Sequence, residues 1–239
     1  MNEGSPQPEA PGLELKLQLD IRQQWDIRVL ESGWDKQSLQ ILDATLRFLE
    51  RKLDAIALGN GNRWIKANLG GARISAGADH TLLGNGYILK KLFHGRSHVV
   101  GSRVFLAEDF LHRAWRLPRR WVDLWILHEF AHVWDNRSAH GWGSITGGGY
   151  GDALMKFAGG RSKAFLGLRF TDRSLVIDRL LAFSADGNLR YGNNSPADYF
   201  ANLFVAAIAF PDTPGVPAAA VAWMINLIRK TTPLAPGGV

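Results

Sequence analysis

Three residues in one short stretch have the types and the spacing to do chemistry. Residues 121–135 contain His128, Glu129 and His132, the pattern His-Glu-x-x-His. On a helix, positions four apart lie about 40° apart around the axis, so both imidazoles project from one face. Two neutral imidazoles so placed can bind one Zn²⁺. The intervening glutamate is then placed to take a proton from water held at the metal. The chain has seven histidines and seven glutamates in 239 residues, and the pattern would arise by chance in about 0.6% of such chains. Its apolar setting (Trp121, Val122, Leu124, Trp125, Ile126, Leu127) adds weight, because unpaired imidazoles and a carboxylate are costly to bury. The plain alternative is a pair of hydrogen-bonded core histidines beside a surface glutamate.

A catalytic zinc usually takes three protein ligands, so a third must be sought. The chain has no cysteine, which removes thiolate ligands and disulfides alike. His140 lies eight residues after His132, whereas a metzincin arrangement needs a glycine three after and a ligand six after; Asp135 and Ser138 stand there. Asp135 shares the helix face but sits one turn further along, which suits a supporting hydrogen bond or a helix-end acceptor better than a ligand. Asp198 lies in the first turn of a separate apolar helix that begins at Pro196 after Ser195. Ser195 and Asp198 also form a capping-box pattern, which would explain the acid without a metal. The need for a third ligand favours Asp198.

The run His128-Glu129-Phe130-Ala131-His132-Val133-Trp134-Asp135, with the later run Asp198-Tyr199-Phe200-Ala201-Asn202-Leu203-Phe204, resembles zincin metallopeptidases of the anthrax lethal-factor type. The resemblance spans roughly 120–140 residues, from the β region to Phe210, and leaves residues 1–60 unexplained. It implies that Asp198 is the third zinc ligand and that Tyr191, seven residues earlier, is a catalytic tyrosine bonding the oxyanion. A packed strand tyrosine is the alternative for Tyr191. Two departures stand out. The ligand position holds Asp rather than the longer Glu, and the family's second acid is replaced by Asn202, which can still orient an imidazole through its carbonyl. The implied fold is α+β and zincin-like: a small mixed sheet packed on the active-site helix, with a mostly helical C-terminal lobe. The implied activity is zinc-dependent hydrolysis of peptide bonds in a protein or peptide substrate.

The elements that must position these residues follow from periodicity. Residues 1–12 read as a flexible tail or linker, and 13–239 as a single domain of two lobes with a cleft near 128–135. Residues 13–30 alternate in part (Leu13, Leu15, Leu17, Leu19, Ile21), which suits a strand. Ser38 to Leu58 is a helix, with Leu39, Leu42, Leu46, Leu49 and Leu53 at three- and four-residue steps, stopped by Gly59–Asn62. Strands are expected at Arg73–Ala76, Tyr87–Phe93 and Val99–Leu106, the last as an edge able to pair with an extended substrate. Helices are expected at Leu111–Leu117, Arg119–Asn136, Pro196–Phe210 and Pro217–Lys230. The six glycines of Gly141–Gly151 read either as a mobile loop over the site or as a plain connection, and lack the sequence of a phosphate cradle.

Composition narrows the function classes. Hydrophobic residues make up 46%, enough for a real core. The net charge of +6 is uneven: residues 1–35 carry −4 and the remainder +10, a balance that attracts acidic partners. Only Arg113, Arg116, Arg119 and Arg120 cluster, and no reading helix or aromatic-basic strand pattern accompanies them. That disfavours a nucleic-acid-binding domain, which is kept as one rival. A zinc-containing binding module without catalysis is the other. No stretch approaches a membrane span, and the polar, Pro-rich start is no Sec signal peptide. A cytoplasmic protein, or one exported without such a signal, is the expectation.

Overall fold

The computed structural model describes residues 12–30, 34–76, 97–106, 119–139, 148–157, 196–212 and 218–234. They form a mixed α+β structure, mostly helical, with a small sheet. The N-terminal part contains α1 (Leu13–Trp25), β1 (Arg28–Val29), α2 (Lys36–Ile56), α3 (Gly61–Leu69) and β2 (Arg73–Ala76). It continues with β3 (His98–Val100), β4 (Arg103–Leu106), α4 (Arg119–Ser138), α5 (Tyr150–Phe157), α6 (Pro196–Ala209) and α7 (Ala218–Lys230).

The expected strand at the start is a helix. In α1 the alternating Leu13, Leu15 and Leu19 are exposed, while Ile21 and Trp25 are buried four residues apart, with Leu17 half-buried one step earlier. Leucines at every second position satisfy a helical stripe at every fourth one, so the period was ambiguous. The good helix formers between them, Lys16, Gln18 and Arg22, favour the helix. Trp25 donates from Nε1 to Glu50 Oε2 at 2.7 Å, which fastens α1 to α2.

Helix α2 matches its expectation. Asp35 caps it by accepting from Ser38 N at 2.7 Å, and Leu39, Leu42, Leu46, Leu49 and Leu53 are buried. The Gly59–Asn62 run does end it, with Leu58 and Gly59 both at positive φ. The same run also starts α3, which periodicity missed. Asp54 Oδ1 accepts from Gly61 N at 2.7 Å, and a Cβ at Gly61 would lie 2.4 Å from the Glu50 carbonyl oxygen. Glycine there is therefore a packing requirement, and Trp64, Ile65 and Leu69 are buried behind it.

The sheet runs β1-β2-β4-β3, with β1, β2 and β4 parallel and β3 antiparallel to β4. The single strand expected at Val99–Leu106 is instead a hairpin. Val100 pairs with Arg103 across Gly101-Ser102, and Gly101 has φ +60°, the backbone a two-residue turn demands at its first position. Among the described residues the outer strand of this hairpin is thus β3, while β4 is internal. Ile74, Ala76, Val104 and Leu106 point into the main core with the helices. Tyr87–Phe93 and Leu111–Leu117 lie outside the described residues.

Helix α4 lies against this face, and Asn136 near its end donates to the Gly101 carbonyl at 3.1 Å. Its most extensive partner is α6. Every residue of α6 from Tyr199 to Ile208 is buried. Pro196 opens α6, as its fixed φ and missing N–H favour; Ser195 lies outside the described residues. An aromatic cluster joins the two helices to α3 and α5. Trp134 has its ring centroid 4.7 Å from Trp64, 5.2 Å from Phe200 and 5.6 Å from Phe204. No described helix is long and apolar enough to cross a membrane.

Phe204→Ala opens a cavity between α6, Trp64 and Trp134. It is expected to cost about 3–5 kcal/mol of stability in denaturant unfolding. A cost near zero would mean that this cluster does not join the helices.

Candidate metal centre

His128 and His132 project from one face of α4, as their spacing requires, and the packing of α6 brings Asp198 opposite them. His128 Nε2 and His132 Nε2 are 3.1 Å apart, and His132 Nε2 is 3.4 Å from Asp198 Oδ1. All three potential ligand atoms lie within 4.8 Å of one another. Tetrahedral ligands at about 2.0–2.2 Å from a zinc ion would stand about 3.3–3.5 Å apart. The two short separations are close to that value, and a donor set of two imidazoles and one carboxylate suits a divalent cation of intermediate softness. The side chains of His132 and Asp198 remain 12% and 26% exposed, so the triangle is open to water on one side.

The surrounding groups are mostly buried. Glu129 is 4% exposed, so it is not the surface glutamate of the plain alternative. Burial pushes its carboxyl up to about 7; Asp198 adds to this and His132 opposes it. Burial pulls His128 down to about 3, as does the neighbouring His132, while Asp198 and a hydrogen bond from the ring to Asn202 act the other way. Asn202, which replaces an acid in the resembling family, thus supports an imidazole through its carbonyl. Burial also pulls His132 down, but the hydrogen bond and charge of Asp198 outweigh it and hold this ring above its ordinary value. The two rings are therefore shifted in opposite directions, His128 towards its neutral form and His132 towards its protonated form beside Asp198. Nδ1 of His132 is buried with no hydrogen-bond partner, so the ring makes its polar contacts through Nε2.

Asp135 serves as a helix-end acceptor. Its Oδ1 accepts from Gly151 N at 2.8 Å, in the first turn of α5. Ser138 Oγ extends the joint, accepting from Tyr150 N at 3.0 Å and donating to the Asp135 carbonyl at 2.7 Å. The glycines here permit close packing. A Cβ on Gly149 would lie 2.5 Å from Asp135 Oδ1, and one on Gly151 would lie 2.8 Å from Pro196 backbone atoms. The described end of the Gly141–Gly151 stretch is therefore wedged between α4 and the start of α6, which corrects the mobile-loop expectation for that end. Its remainder, Gly141 to Gly147, lies outside the described residues.

Tyr191 and His140 also lie outside the described residues, as do Arg113 and Arg116; Arg119 and Arg120 open α4. One neighbour escaped the sequence reading. Trp125 is half-buried, with its ring centroid 6.5 Å from that of His128. Its position three residues before His128 was the available signal, since such residues share a helix face. Comparison with protein-family models, with curated proteins and with solved structures found no match to this chain.

Two outcomes follow from this geometry. Gly151→Ala forces α5 and α6 apart and is expected to destabilise the fold by about 1–3 kcal/mol and to weaken divalent-metal binding; an unchanged metal affinity would remove the wedge from the account. A cation entering the triangle must displace the His132 proton, so its affinity is expected to fall about tenfold per pH unit once pH drops below that raised pKa. Competition with a chromophoric chelator from pH 8 to about 5 reads this, and a flat profile would exclude His132 as a ligand.

Proposed function

We propose that this chain is a zinc-dependent metallopeptidase with a zincin-like arrangement. The observation that carries the reading is the convergence of His128, His132 and Asp198, from two separate helices, beside the buried Glu129. Zinc bound there would polarise the scissile carbonyl and acidify a water molecule. Glu129 would take the proton from that water and pass it to the leaving amine, and its burial, which pushes the carboxyl up to about 7, favours the form that carries the proton between the two transfers. Asp198 and His132 would hold the ion, and Asn202 would fix the His128 ring. Tyr191, at the offset of the resembling family, would donate to the oxyanion. The outer edge of β3 would pair with an extended peptide, since β4 already occupies its other side.

A zinc-containing binding module without catalysis is the second reading. It is favoured by Asp198, shorter than the glutamate of the resembling family, and by Asn202, which brings no charge to the site. Against it, a site that only held metal would have no use for a buried carboxylate next to the ligands. The nucleic-acid rival rested on the Arg113–Arg120 cluster, of which Arg113 and Arg116 lie outside the described residues.

The experiment is metal analysis paired with a peptide-library cleavage assay. Wild type is expected to carry one zinc per chain and to cleave peptides. Glu129→Gln is expected to keep the zinc and to lose about 10²–10⁴-fold in rate. Asp198→Ala is expected to lose the zinc. Full activity in Glu129→Gln would sink the mechanism, and zinc-loaded wild type inactive on every peptide would favour the binding module.

A further inference from the structure

The sheet places three arginines side by side. Arg28 pairs with Arg73 in the β1–β2 register, and Arg73 pairs with Arg103 in the β2–β4 register. Residues in register on neighbouring strands share a face, so three guanidinium groups start from adjacent points about 4.8 Å apart. Side chains alternate along a strand. Ile74 and Val104 enter the core shared with the helices, so the arginines occupy the opposite face, away from α4 and the metal centre. Arg28 is exposed, and Arg73 and Arg103 are half-buried.

Like charges directly opposite one another on a sheet disfavour it, and such rows are normally interrupted or answered by acids. Here none of the three has a hydrogen-bond or ion-pair partner among the described residues. The strands hold the three side chains in a spacing they would not choose alone. Partial burial of Arg73 and Arg103 limits the water and salt that could screen them. Among the described residues the charge of this row is therefore unanswered, and a bound anion would answer it.

We propose that Arg28, Arg73 and Arg103 form a binding site for a phosphate group, as the free ion or a monoester. A carboxylate has two oxygens and one charge, so one or two arginine forks saturate it. A phosphate offers three or more oxygens and up to two charges, which matches three forks that start from neighbouring strands. This site is independent of the proposed peptidase activity and would persist if that reading failed.

The test is calorimetric titration of the full chain with phenyl phosphate, inorganic phosphate and benzoate at constant ionic strength. Each is run with zinc and with excess chelator, so that anions held at the metal are recognised. Phenyl phosphate is expected to bind at least about tenfold more tightly than benzoate, with or without chelator. Comparison with inorganic phosphate tells an ester site from a free-ion site, and both support the assignment. Arg73→Gln and Arg28→Gln are each expected to weaken phosphate binding by about tenfold or more. Arg28 is exposed, so its variant tests the site without threatening the fold. In phosphate-free buffer Arg73→Gln is also expected to raise the melting temperature, because it relieves repulsion; an arginine with a purely structural role would lower it. Equal affinity for phosphate and benzoate, or phosphate affinity unchanged in both variants, would overturn the proposal. So would an Arg73-dependent affinity for a single-stranded oligonucleotide without affinity for phenyl phosphate, which would point to a polyanionic strand instead.

Discussion

The approach of α6 to α4 is the constraint on which the site depends. Aspartate is one carbon shorter than glutamate, so Asp198 can face His132 at 3.4 Å only if the two helix backbones come close. Three features set that separation. Along α6 an unbroken buried run faces inward, including Ala201, Ala206 and Ala207, whose small side chains leave room. The ring of Trp134 packs against Phe200 and Phe204, which fixes how α6 lies on α4. At the open end, the first turn of α5 is held by Asp135, with Gly149 and Gly151 admitting backbone where any side chain would collide.

The same closeness crowds ionisable groups together. Two imidazoles meet nitrogen to nitrogen at 3.1 Å, and a carboxyl is buried beside them. Burial disfavours a charge on His132, but the hydrogen bond and charge of Asp198 outweigh it and raise that ring, while burial pushes Glu129 up to about 7. A divalent cation at this place would compete with protons for His132 and favour the ionised form of Glu129. A preorganised site needs its ligand side chains held in place, and the rest of α4 supplies rigidity. Thr45 on α2 donates to Asp123 at 2.6 Å, and Asn136 reaches the β3–β4 turn, so the helix is fixed at both ends of the motif.

Much of this was legible in the sequence where a pattern was long or chemically specific. The five leucines of α2 have a single helical reading, and four-residue spacing alone placed His128 and His132 on one face. Pro196 marked the start of α6, and the acid two residues later proved to face the histidines. Short or ambiguous patterns misled. The leucines of α1 fit two periods, and the burial of Ile21 and Trp25 four residues apart, with Trp25 bonded to Glu50 of α2, decides for the helix. Gly61 looked like a helix stop because its reason, contact with the Glu50 carbonyl, is an encounter between different elements. The Gly101-Ser102 turn hid inside a β-rich run. Partners separated by long stretches of chain, such as Asp135 with Gly151 or the three arginines in register, carry no local signal and emerge only when the strands and helices are assembled.

The central claim is that one metal ion sits between two helices and is held by a short carboxylate from the second. Anomalous diffraction at the zinc edge, from crystals of zinc-loaded protein, tests it directly. The account predicts one strong peak within coordinating distance of His128 Nε2, His132 Nε2 and an oxygen of Asp198. A peak held by the two histidines with Asp198 turned away, or no peak at this place, would contradict it.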